Sequence, residues 1–276
     1  MDVNFKTTIQ AEYNYLINGK NEIFKYIDFE SGLKIISNAT LAFKNPLDMN
    51  DPYDCSLDFL DLTKPPENYL KDLLKEKYAY LSREERRKII AYSIKNFRPL
   101  LPTILKNGME SDLKMRGITC FSEINNNLLM WSHYGKSHTG VCIGFDLVKL
   151  YESIKTKHLF DKLFIKVRYE TEFQAMNYFD DKVESVVNWV RTKSLDWNYE
   201  KEFRIIISNS KFNSDGLYIL PIDKNCIKHI YLGSRVTVEN ERKIIEIVKQ
   251  NNLDTSIIKL KLNKKYFELE EDYRCN

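Results

Sequence analysis

Trp197-Asn198-Tyr199-Glu200-Lys201-Glu202-Phe203-Arg204-Ile205-Ile206-Ile207 closes on an apolar, β-branched run. That composition reads as a strand, because branched side chains pack well on a pleated surface. Side chains alternate between faces along a strand, so Glu200, Glu202 and Arg204 would share one face. Two neighbouring carboxylates repel each other and are costly to desolvate, so a fold gains nothing by turning them inward together. A face bordering a cleft would make the arrangement chemical. A face in water would make it an ordinary charged strand face, and pattern alone favours water, where charges usually sit.

Working outward, a helix is expected over Asp181–Lys193 and a strand over Phe164–Tyr169. Strands follow at Leu217–Leu220 and Ile227–Gly233, then an amphipathic helix over Val238–Gln250 and a strand over Ser256–Leu262. Towards the N-terminus, Ile118–Ser122 and Val141–Asp146 read as strands around a Trp/Tyr/His/Gly-rich segment, Leu129–Gly140. Ile23–Ile27 and Thr40–Phe43 are two more strands, with a helix between them that Ser31 could cap. Asn45–Pro52 is a compact turn fixed by two prolines and Asn/Asp residues. Pro65–Lys114 changes to helical spacing, and Ser82-Arg83-Glu84-Glu85 is a capping box. Strands outnumber helices and do not alternate strictly with them. The expectation is an α+β fold with a mixed, mostly antiparallel sheet, one domain over 1–276 with a helical insertion at about 64–116.

Composition bounds the rest. Of 276 residues, 43% are hydrophobic and 29% charged, enough apolar chain for a substantial core. A net charge of +3 neither demands nor excludes a nucleic-acid partner. No apolar stretch is long enough to span a bilayer, and Met1–Lys6 lacks the apolar run of a signal peptide. The five cysteines (Cys55, Cys120, Cys142, Cys226 and Cys275) are widely spaced with no C-x-x-C pair, which indicates neither disulfide framework nor zinc ribbon. A reducing cytoplasm is the expected compartment.

Gly135-Lys136-Ser137 resembles the end of a phosphate-binding loop, but Met130 stands where the upstream glycine is required. G-x-G-x-x-G and G-x-S-x-G are both absent. His133 and His138, five apart, do not share a helical face, and nothing nearby completes a metal set. Trp131 and Tyr134 beside them either wall a pocket that stacks a flat base or simply pack. Asp51 and Asp54 could join Glu200 and Glu202 as magnesium ligands of a nuclease-like site.

Lys25-Tyr26, Asn50-Asp51-Pro52-Tyr53-Asp54, Cys120-Phe121-Ser122-Glu123, Met130-Trp131-Ser132-His133-Tyr134 with His138-Thr139-Gly140-Val141, and Trp197-x-Tyr199-Glu200-x-Glu202-x-Arg204 occur in that order. This ordered set resembles the family called domain of unknown function 2971 over nearly the whole chain apart from the insertion. That family name implies no activity. The order of parts is also similar, more weakly, to DarT-like ADP-ribosyltransferases of bacteria. There a first strand carries a polar NAD contact and a late strand carries a Glu-x-Glu pair, which Glu200-Lys201-Glu202 matches. Phe24-Lys25-Tyr26 stands in place of their usual His or Arg, and Trp131–Tyr134 has no certain counterpart.

The second resemblance implies a cytoplasmic transferase using NAD as substrate, a toxin or phage-defence effector that modifies nucleic acid or protein. It implies Glu202 as the transition-state carboxylate and Glu200 as the residue aiding the acceptor. Lys25, Tyr26, Asn50, Asp51, Ser122, Trp131, His133, Tyr134, His138 and Arg204 are then the NAD-contacting candidates. The chemistry suits carboxylates, since cleaving the nicotinamide–ribose bond builds an oxocarbenium-like cation. A non-catalytic binding module remains the third reading; it expects Glu200 and Glu202 in solvent and no deep pocket beside Trp131 and His133.

Overall fold

The run that ends Phe203-Arg204-Ile205-Ile206-Ile207 lies inside a ten-stranded sheet. The computed structural model describes residues 22–154 and 162–275, so the reading of Met1–Lys6 falls outside it. Strands run over Glu22–Ile27 (β1), Thr40–Lys44 (β2), Leu60–Asp61 (β3), Gly117–Ser122 (β4), Val141–Asp146 (β5), Lys162–Lys166 (β6) and Arg168–Glu170 (β7). They continue over Met176–Asn177 (β8), Thr192–Ser194 (β9), Glu202–Ile207 (β10), Leu217–Pro221 (β11), Ile227–Leu232 (β12), Ser256–Leu262 (β13) and Leu269–Cys275 (β14). Helices cover Phe29–Asn38 (α1), Tyr69–Lys77 (α2), Arg83–Phe97 (α3), Leu101–Leu113 (α4), Leu128–His133 (α5), Leu147–Ser153 (α6), Lys182–Arg191 (α7) and Val238–Gln250 (α8). The fold is α+β, and among the described residues of the large sheet only β12 and β13 pair in parallel.

Strand order is β11-β2-β4-β1-β5-β12-β13-β14, with β10 on β4 and β6 beyond it. β10 pairs with β4 along its whole length, Glu202 opposite Ser122 through Ile207 opposite Gly117. The other edge of β4 is shared. β1 meets it only at Phe24↔Ser122 and β2 only at Lys44↔Ile118. The sheet therefore forks at β4, and the gap between β1 and β2 is where a ligand could enter.

Local chemistry explains the elements. α8 buries Glu241, Ile244 and Val248 at helical spacing behind a Thr237 cap, and packs with Ile35 and Ile36 of α1 into the main core. α2, α3 and α4 fill the stretch between β3 and β4, and Ser82 and Glu85 close the capping box at the second of these helices. Some expectations shift. Asp28, not Ser31, caps α1, its carboxylate accepting from the Ser31 amide. Val167 divides the Phe164–Tyr169 run into β6 and β7. The helix expected through Lys193 ends at Arg191, and Lys193 belongs to β9, paired in parallel with β7.

Candidate active site

Along β10, Phe203, Ile205 and Ile207 enter the main core, and Ile206 enters a second core with Ile118, Ile165, Trp189 and Val190. Glu202 and Arg204 share the face of Ile206, so the strand carries both inward. They are 3% and 0% exposed, and Glu200 is 3% exposed. This overturns the expectation of a solvated face. Glu200 is also not on the strand: Leu195–Glu200 is a 3-10 turn, and Lys201 in the left-handed region (φ 44°) turns the chain before β10 begins.

Two cations resolve the repulsion that argued against inward carboxylates. Lys193 Nζ lies 2.7 Å from Glu200 Oε2, 2.9 Å from Glu202 Oε2 and 3.7 Å from Asp54 Oδ2. The Arg204 guanidinium donates to Glu202 through Nε (2.7 Å to Oε1) and to Asp54 through Nη2 (2.8 Å to Oδ2), with Nη1 2.6 Å from Asp54 Oδ1. Its Nη1 also donates to the Val190 carbonyl at 3.0 Å. Three buried carboxylates thus surround two buried cations, leaving one negative charge in excess when all are ionised. Pairs this well hydrogen-bonded offset the desolvation that isolated buried charges would suffer.

The two glutamates are held differently. Burial alone would raise the Glu202 pKa, but Arg204 and Lys193 beside it hold the carboxyl well below its usual range. For Glu200, burial wins over Lys193 and the Tyr134 hydroxyl, and its pKa is raised. Tyr134 donates to Glu200 Oε1 at 2.5 Å. For Lys193, burial would lower the pKa, but Glu202, Glu200 and Asp54 raise it above its ordinary value.

Glu200, Glu202 and Lys193 line a cleft of about 830 Å³ at the fork of the sheet, together with Lys25, Thr119, Cys120 and Tyr134. Lys25 spans the fork from β1, donating to Thr119 Oγ1 at 2.8 Å and to the Cys120 carbonyl at 3.0 Å. Its ammonium stands 5.1 Å over the Phe121 ring, and burial lowers its pKa. It makes no ion pair among the described residues, but Glu202 is near enough to oppose part of the lowering that burial causes.

Of the residues named from sequence, Lys25, Tyr26, Asn50, Ser122, Tyr134, Glu200 and Glu202 meet on this cleft. Ser122 is wholly buried there and donates to the Glu200 carbonyl at 2.6 Å, so it fixes the turn rather than contacting a ligand. Five candidates stand away from the lining. Arg204 sits behind Glu202. Trp131 is fully buried, its indole N–H donating to the Asn125 carbonyl, with His138 stacked on it at 6.2 Å. His133 is on the surface near Tyr199. Asp51 lies in a second cavity of about 360 Å³, its Oδ1 accepting from the Tyr53 amide.

The magnesium-ligand set of the nuclease reading is therefore not assembled. Asp51 is elsewhere, and Lys193 and Arg204 occupy the space between Asp54, Glu200 and Glu202. Among the described residues no group of three or more His, Cys, Asp or Glu side chains could hold a metal ion. The binding-module reading expected exposed glutamates, and both are buried. Sequence reasoning missed Lys193. Thr192-Lys193-Ser194 carries no local mark of its role, which arises only when β9 joins β7.

Among the described residues no helix is long and apolar enough to cross a membrane. No curated protein and no solved structure matches the chain. Over residues 130–205, the segment that supplies Tyr134, Lys193, Glu200, Glu202 and Arg204, the chain matches the family described as protein of unknown function (DUF2971).

Proposed function

We propose that the cleft binds NAD and transfers its ADP-ribose to an acceptor, a nucleic acid or a protein, as a toxin or defence effector would. The observation that carries this reading is the convergence of Glu200 and Glu202, from a turn and a strand, on one cleft with excess negative charge behind it. NAD would supply a nicotinamide–ribose bond whose cleavage develops positive charge on the sugar. A preorganised carboxylate stabilises such charge without reorganising, and Arg204 and Lys193 keep Glu202 ionised and fixed for that purpose.

Glu200 suits the acceptor side. Its raised pKa brings it closer to the range of a useful general base, and Tyr134 and Lys193 hold its two oxygens in place. The lining also fits the rest of a dinucleotide. A cleft of about 830 Å³ is within the usual size of small-molecule sites. Lys25, without a carboxylate partner, and Lys34 and Lys44 offer positive charge to a pyrophosphate.

The test is transfer of label from NAD labelled in its adenylate half to DNA, RNA and cell lysate, beside Glu200→Gln and Glu202→Gln. Label on one class of macromolecule, reduced about 100-fold or more in Glu202→Gln that is still folded by circular dichroism, is the expected result. Absence of both label and nicotinamide release from the parent protein would overturn the proposal.

A further inference from the structure

Residues 64–116 contain 13 Lys and Arg against 7 Asp and Glu. The insertion thus carries six excess positive charges, although the whole chain has only three. The rest of the protein is net negative, so the basic character is concentrated in this one structural unit.

Within the insertion the charge gathers on α3. Ile90 and Ser93 face inward, Ile90 packing with Leu70, Leu74 and Leu101. At about 100° per residue, Lys88, Tyr92 and Lys95 lie on the opposite side, with Arg87 and Arg98 flanking them, and all five are exposed. Lys88 is paired with Glu84 at 2.7 Å. Arg87, Lys95 and Arg98 make no ion pair among the described residues. A charged face alone would be explained by solvation. Here an aromatic ring also stands in water among the cations: Tyr92 is 65% exposed, and Phe97, at the helix end on the Ile90 side and 42% exposed, meets it edge-on at 6.4 Å.

We propose that this outer face of α3 is a docking surface for single-stranded nucleic acid. Arg87, Lys95 and Arg98 would neutralise backbone phosphates, and Tyr92 and Phe97 would stack on bases, which every sequence offers. Charge complementarity argues for a polyanion, and the exposed rings argue for a strand whose bases are unstacked. The insertion that carries this surface also touches the rim of the cleft. Asn45 donates to the Leu113 and Lys114 carbonyls at the end of α4, at 3.2 and 3.1 Å, and the loop it begins carries Asp48, Met49 and Asn50 into the cleft lining. This docking does not rest on the transferase reading, because it would hold whatever chemistry the cleft performs.

The test is fluorescence anisotropy of labelled 20-nucleotide single-stranded DNA and RNA with the full chain, without NAD, at 50 to 200 mM KCl. Three phosphate contacts predict about a twentyfold loss of affinity over that range. Arg87→Glu/Lys95→Glu should weaken binding at least tenfold, whereas Lys228→Glu/Lys249→Glu, an equal charge change on exposed residues outside the insertion, should not. Tyr92→Ala should cost about tenfold without changing the salt slope. Circular dichroism and thermal melting confirm that each variant is folded. Absence of binding at 50 mM salt, equal loss in both charge-reversed pairs, an unchanged Tyr92→Ala, or tighter binding of a blunt duplex would each overturn the proposal. Loss of NAD chemistry in Glu202→Gln leaves this binding intact, so the two readings fail separately.

Discussion

Glu200 and Glu202 sit two residues apart, yet their substitution should have unequal consequences for stability. Glu202 is the carboxylate shared by Arg204 and Lys193. Glu202→Gln removes a buried partner of both cations and should cost about 3 kcal/mol in urea unfolding at pH 7. The surroundings of Glu200 favour its neutral form, and a glutamine there can accept from Lys193 through its carbonyl oxygen while its NH2 donates to the Tyr134 hydroxyl. Glu200→Gln should change stability by no more than about 1 kcal/mol, in either direction. The pH dependence carries the same contrast. The depressed Glu202 pKa gives stability that is complete above the unfolded value of about 4.3 and is lost as pH falls through the folded value. The raised Glu200 pKa has the reverse sign: its contribution is complete below about 4.3 and is lost as pH rises through its folded pKa. Urea midpoints from pH 3 to 8 should therefore show the loss on the alkaline side vanish in Glu200→Gln. An identical profile in that variant would contradict the assignment.

Between α5 and β5, the chain passes through three successive left-handed residues, Lys136, Ser137 and His138. It then presses its backbone against the ends of β1 and β12. A Cβ at Gly140 would lie 2.2 Å from the Ile27 carbonyl oxygen, and one at Gly233 would lie 2.2 Å from that of His138. Backbone cannot give way as a side chain can, so Gly140→Ala should cost about 3 kcal/mol. Gly108, inside α4 with open space around it, is the control; Gly108→Ala should stabilise by about 0.5 to 1 kcal/mol. Thermal melting of the two variants decides both. Elements like α8 and β13 were legible in the sequence to the residue, because a strong periodicity is a local property. β9 and β14 were not, since short or polar strands exist only through their partners. The same divide runs through the site. The carboxylates announce themselves by their spacing, whereas the burial of Glu202 and Arg204 and the arrival of Asp54 depend on distant segments meeting, and Lys193 is brought beside them by the turn between β9 and β10.

At the scale of the molecule, two stretches far apart in sequence supply the five buried charges: the loop holding Asp54, and the run from β9 through the turn ending at Glu200 into β10. If one stretch detaches alone, uncompensated charge remains inside, so these segments should open only together. Native-state hydrogen exchange under rising urea should show amides of β9 and β10 opening at the global free energy. Those of α2 and α3 should open earlier, because the insertion's own core has only four buried side chains. Opening of β9 ahead of global unfolding would contradict this. The arrangement also restricts how the sequence can drift. A change at Asp54, Lys193, Glu200, Glu202 or Arg204 unbalances its neighbours, so descendants of this chain should alter these positions in compensated pairs or leave them as they are.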